Sequence, residues 1–154
     1  MSTIFADKFK NTSGGNPVQI NQLRGIDTAG SITVQGEGTA TTNLQQGLAK
    51  MWVHFDGNTG NDIRDSLNIS SAADNGTGRY TYTYTNNMNN FYYHFTHNTG
   101  GASGTAGDDS YGSTGGTNVS TGITTSTFYA RNRRYDANTY DVDIDSVMLH
   151  GDLA

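Results

Sequence analysis

From Arg79 to Thr85 the chain reads RYTYTYT, and this strict alternation of aromatic and β-branched side chains fits a β-strand and little else. Successive side chains on a strand point to opposite faces. Tyr80, Tyr82 and Tyr84 therefore share one face, and Thr81, Thr83 and Thr85 the other. A helix would scatter the same tyrosines around its circumference. The preceding DNGTG at 74–78 is a turn signal, because Asn-Gly takes positive φ cheaply. The pattern recurs in WVHF, where Trp52 and His54 face one way and Val53 and Phe55 the other, before a DGNTG turn. DIRDSLNIS follows as a strand holding Ile63, Leu67 and Ile69. Its period-two spacing holds only from Ser66 onward, which predicts a bulge or bend near Arg64 and Asp65.

Further strands are expected at Phe91–Thr96, over TTSTFYARNRR and from Tyr140 to His150. In the last, Val142 and Ile144 share one face while Val147 and Leu149 share the other, so the phase slips near Asp145. Six strand-like segments separated by turn signals predict an all-β fold. The expected form is an antiparallel, jelly-roll-like β-sandwich over 51–154, with an N-terminal extended arm and room for one short helix.

Composition sharpens this reading. Only 33% of residues are hydrophobic and 15% charged; Gly, Ser, Thr and Asn make up 70 of 154. Low hydrophobicity without high net charge meets only half of the disorder signature, and suits polar-surfaced β structure rich in turns. One subunit has few large apolar groups, so burial between subunits is expected to add stability. A net charge of −5 argues against nucleic-acid binding, which wants a basic face. The basic cluster Arg131, Arg133 and Arg134 reads as a strand edge or turn. With no Cys, disulfides and thiol chemistry are excluded. No segment approaches the roughly 20 apolar residues that span a bilayer, so no membrane insertion is expected.

The chain divides into three regions. Residues 1–40 read as an anchoring arm, with Ile4, Phe5, Phe9, Val18, Ile20 and Leu23 as its contact residues. Residues 41–50 read as a short helical linker. Thr41 or Thr42 is the cap, and Leu44 and Leu48 share one face, either on a threefold axis or on the subunit's own sheet. Residues 98–122 hold eight glycines in 25 and read as a long exposed loop; Tyr111, with Asp108 and Asp109, is its candidate recognition surface.

Particular motifs carry a resemblance. Ala49-Lys50 opens towards Trp52, a strand with Arg64, Ser66 and Leu67 follows, and then comes DNGTG. Near the C-terminus, TSTFYARN and a Tyr-Asp turn lead to SVMLHGDLA. This set, from Gly47 to Asp152, resembles a module of tail-fibre and other virion proteins of marine bacteriophages of the cyanophage and pelagiphage kind. Met51 stands where the module usually has Ala, and the Gly-rich loop replaces a shorter connection. The opening STIFADKFKNTSGG is similar to the N-termini of such fibres. The resemblance implies a non-enzymatic virion structural protein assembled in the host cytoplasm. It would be a short trimeric tail or head fibre, with a capsid decoration protein as the alternative and a carbohydrate-active enzyme as the distant one. Partners would be a homotrimer, other virion proteins of tail or capsid, and a host-surface glycan or protein. Leu44, Leu48, Trp52, Tyr80, Tyr82 and Tyr84 are the residues assigned to the trimer interface.

His94 and His97 fall on opposite faces of a strand and make a poor zinc pair. His54 or His94 from each of three subunits would be needed for an axial ion site. Asp141, Asp143 and Asp145 alternate as on the solvent face of a strand, and Ser146 stands where a calcium loop needs Gly. Glu37, Asp56, Asp62 and Asp65 supply carboxylates, but a glycosidase pair also needs a groove and a set separation. Tyr82, Tyr92, Tyr93 and Tyr111 are candidates for sugar stacking, although the alternation of Tyr80, Tyr82 and Tyr84 favours one buried face. No catalytic residue, metal site or cofactor is assigned.

Overall fold

The computed structural model describes residues 32–35, 39–102, 110–114, 122–134 and 138–153. The arm residues Ile4, Phe5, Phe9, Val18, Ile20 and Leu23, together with Asp108 and Asp109, lie outside the described residues.

The fold is an all-β antiparallel sandwich of two four-stranded sheets. β1 (Thr33–Gln35) and β2 (Thr41–Asn43) form a separate small ribbon. One main sheet has the order β4-β3-β10-β7, from Asp62–Leu67, Ala49–Asp56, Val142–His150 and His94–Ala102. The other has the order β5-β6-β9-β8, from Ile69–Asp74, Arg79–Tyr84, Thr127–Arg134 and Ser110–Thr114. Every pairing among the described strands is antiparallel.

Alternation explains which side chains meet between the sheets. Met51, Val53 and Phe55 of β3 face Tyr80, Tyr82 and Tyr84 of β6, with Phe128, Ala130, Val147 and Leu149 in the same cluster. The Phe55 ring lies 5.0 Å from Tyr80 and 5.7 Å from Tyr82, both in tilted or edge geometry. Such aromatic pairs add to simple area burial. The tyrosines assigned to a trimer interface are thus buried inside one chain: Tyr80 and Tyr82 are 0% exposed and Tyr84 4%. Their alternation does mark a buried face, but the sheet that covers it belongs to the same subunit.

Three expectations are corrected. DIRDSLNIS is two strands rather than one. Asn68 adopts φ 60°, and the chain passes there from one sheet to the other. Asn tolerates this left-handed conformation, and its amide secures the corner by donating to the carbonyls of Lys50 and Asn86 and accepting the Asn86 N–H. The helical linker shrinks to the four residues Leu44–Gly47, because β3 begins at Ala49, which already pairs with His150. The Gly-rich stretch is less of a loop than its composition suggests. β7 runs on to Ala102, and Ser110–Thr114 form an edge strand whose backbone pairs with β9. Tyr111 enters there as the partner of Arg133.

Other features follow the sequence. The β3–β4 register shifts between His54 and Phe55, opposite Arg64. DNGTG turns with Gly76 at φ 102° and Gly78 at φ 63°. A Cβ at Gly78 would strike the Tyr140 backbone, so that position needs glycine on both counts.

Candidate functional site

Two polar assemblies and one surface groove come from this framework. The first assembly is buried. The inward-facing parity of β10 changes between Val142 and Asp145, leaving Ile144 38% exposed and Asp145 fully buried. Asp145 was expected on the solvent face. Instead its carboxylate accepts the Tyr82 hydroxyl at 2.8 Å, the Asn132 amide at 2.7 Å and the His97 Nε2 at 3.2 Å. Asp145 and His97 belong to one sheet, Tyr82 and Asn132 to the other, so the cluster is a polar clamp between them. Burial, and then the Asp145 charge, hold the Tyr82 phenol well above its ordinary pKa. The clamp positions strands, with its carboxylate sealed from solvent.

The second assembly lies at the sandwich end that holds the DGNTG turn. Asp56 accepts the backbone N–H of Thr59 at 2.9 Å and of Asn58 at 3.0 Å, and pairs with Arg64 at 2.6 Å. Asp141 accepts the Gly78 N–H and the Tyr80 hydroxyl, and Asp143 accepts the Asn58 amide. These carboxylates are occupied in holding turns. Among the described residues no group of three or more His, Cys, Asp or Glu is arranged to hold a metal ion.

The groove is on the outer face of the β4-β3-β10-β7 sheet. Cross-strand register aligns Leu67, Trp52, Met148 and Thr96 in one row, and Asp65, His54, Ser146 and Asn98 in the next. Trp52, His54, Met148, Ser146, Thr96 and Asn98 line a depression of about 320 Å³. Trp52 is half-buried there, and the His54 Nε2 is buried without a hydrogen-bond partner. Two residues further along β7 and β10, His94 pairs with His150. These two histidines, with Asn90, Tyr92 and Asp152, line a second depression of about 350 Å³. Tyr92 is 82% exposed, and its ring lies 4.3 Å from that of Phe91.

The opposite outer face differs in character. Arg79 pairs across the strands with Arg131, and Arg133 shares its side of β9. Arg79 therefore joins the basic cluster. It was not foreseen, because it sits 52 residues away in sequence from Arg131.

The sequence-assigned residues are thus dispersed. Trp52 lies in the groove, and Tyr80, Tyr82 and Tyr84 lie in the core. Leu48 is 55% exposed beyond the end of the helix, while Leu44 is half-buried. His94 and His97 do fall on opposite faces, one outward and one in the clamp. No helix among the described residues is long and apolar enough to cross a membrane. Comparison with protein-family models, curated proteins and solved structures finds no match for this chain.

Proposed function

We propose that this chain is a non-enzymatic virion structural protein, the β-sandwich head of a short trimeric tail or head fibre that contacts the host surface. The observation that carries the reading is the module-like run of motifs from Gly47 to Asp152, which coincides with the sandwich. The disposition of the carboxylates supports it: Asp56, Asp141, Asp143 and Asp145 are all engaged in structural hydrogen bonds. The exposed Val34 and Leu48, next to the small β1–β2 ribbon, are the apolar groups available for contacts between subunits near the N-terminal side.

Locating the protein in cryo-electron density of particles that carry it tests this reading, together with sedimentation of the purified chain. A threefold assembly projecting from one symmetric socket, and a mass three times 16.5 kDa in solution, are expected. A flat placement across several capsid subunits would make it a decoration protein instead. A stable monomer at micromolar concentration would remove the trimer.

A further inference from the structure

We propose that the outer face of the β4-β3-β10-β7 sheet is a binding track for a neutral oligosaccharide, with Trp52 as one stacking platform and the Phe91–Tyr92 pair as the other. This deepens the host-contact part of the proposed function and rests on reading the chain as a binding module.

The two depressions lie on the same face of the same pair of strands. Thr96 and Met148 line one; His94 and His150, two residues along, line the other. Trp52 is level with Thr96 through Met148, and Tyr92 lies four residues before Thr96. Four residues of strand rise along the sheet and two strand spacings across it separate the platforms by up to roughly 16 Å, so one extended ligand reaches both. Each depression is at the lower end of the range for small-molecule sites, about 300–1,000 Å³.

The lining selects the chemistry. A half-buried indole and the exposed Tyr92 ring, tilted against Phe91, offer apolar surfaces beside Asn98, Ser146, Thr96 and Asn90, which bond hydroxyl groups. The His54 Nε2 adds a buried ring nitrogen that a hydroxyl can satisfy. Neither lining includes Lys or Arg, and the arginine row lies on the other sheet. Sialylated, sulfated or phosphorylated chains, and nucleic acid, therefore lack their counter-charge here.

Trp52 is the chain's only tryptophan, so its emission reports on the track directly. The test titrates the full chain with hexose and N-acetylhexosamine oligomers of roughly two to six sugars, following fluorescence and calorimetry. Sialylated and sulfated oligomers serve as comparators. At least one neutral series should saturate, with affinity rising with length as the second platform engages. Tyr92→Ala should weaken the longest ligand about tenfold, which corresponds to about 1.4 kcal/mol, and leave the shortest unchanged. Trp52→Ala should abolish calorimetric binding and Trp52→Phe should restore part of it, with melting temperatures unchanged. Ser71→Ala, exposed on β5 of the other sheet, should bind normally. Three results overturn the proposal: no neutral series binds, acidic oligomers bind better, or the emission shifts with protein concentration alone. The last would assign the face to a second copy of the chain. Lost sugar binding with normal incorporation into particles would leave the fibre role standing.

Discussion

At the scale of single residues, Asp145 sets the energetics of the interior. A buried carboxylate is tolerated only when hydrogen bonds replace the water it has lost. Three side chains do so here, two of them from the facing sheet. Removing one donor leaves the carboxylate under-satisfied, which costs more than the bond itself was worth. Tyr82→Phe keeps the ring packed against Phe55 and deletes only the hydroxyl. It should lower stability by about 1–3 kcal/mol, read as a fall in the urea midpoint at constant slope. A midpoint equal to that of the wild type would mean that Asn132 and His97 hold Asp145 unaided. None of this was visible in the sequence. Asp141, Asp143 and Asp145 alternate as solvent-facing residues do, and only the change of parity after Val142 turns the third inward. Tyr82 was legible as a member of a buried face, whereas its partner lies 63 residues away.

At the scale of elements, local patterns were legible and long-range partners were not. RYTYTYT, WVHF and the two Asn- or Asp-Gly turns predicted β6, β3 and their connections, because alternation and turn chemistry act within a few residues. β8 was missed because SYGST has one large side chain in a Gly-rich run; its strand character comes from pairing with β9 rather than from its own propensity. The break at Asn68 was missed because Asn inside DSLNIS looks like any polar position on a strand. The groove was half legible: Trp52 and His54 were placed on one face, but the neighbours that make a depression come from β7 and β10. The β3–β4 hairpin gives a pH prediction at this scale. The N–H of Thr59 first, then those of Asn58 and the Arg64 guanidinium, hold the Asp56 carboxyl below its ordinary pKa, against the opposing effect of burial. A depressed carboxyl contributes stability above its unfolded value of about 3.9, and this is lost as pH falls through the lower folded value. Asp56→Asn should therefore be less stable than the wild type at roughly pH 6, with the gap closing as the pH is lowered below about 4. Urea melts across that range check it. A gap independent of pH would assign the role of Asp56 to shape rather than charge.

At the scale of the whole molecule, the two sheets are joined by phenols as much as by hydrocarbon. Tyr80 reaches Asp141, Tyr82 reaches Asp145, and Tyr84 meets Tyr93, which in turn donates to the Thr124 carbonyl. This is how a chain with so few aliphatic residues closes a core: each ring buries a large apolar face, and each hydroxyl finds a partner on another element. Burial raises the pKa of all four phenols, with neighbouring carboxylates adding to the effect at Tyr80 and Tyr82. The consequence is a weakness at alkaline pH. In the unfolded chain these groups ionise near pH 10, whereas in the folded chain they keep their protons to higher pH. Stability is therefore intact below about pH 10 and falls as pH rises above it, by about 1.4 kcal/mol per pH unit for each group. The three most strongly shifted, Tyr80, Tyr82 and Tyr84, together give a slope of up to about 4 kcal/mol per unit, so two units exceed the lower end of a small domain's stability. The sandwich should unfold cooperatively within roughly two pH units above 10, and phenolate absorbance from the buried tyrosines should appear together with loss of the β circular-dichroism signal. Tyr84→Phe should make the pH dependence shallower, because one titrating group is gone. If those phenolates formed while the fold persisted, the core would be open to hydroxide, and the tyrosines would not be the seal that their packing describes.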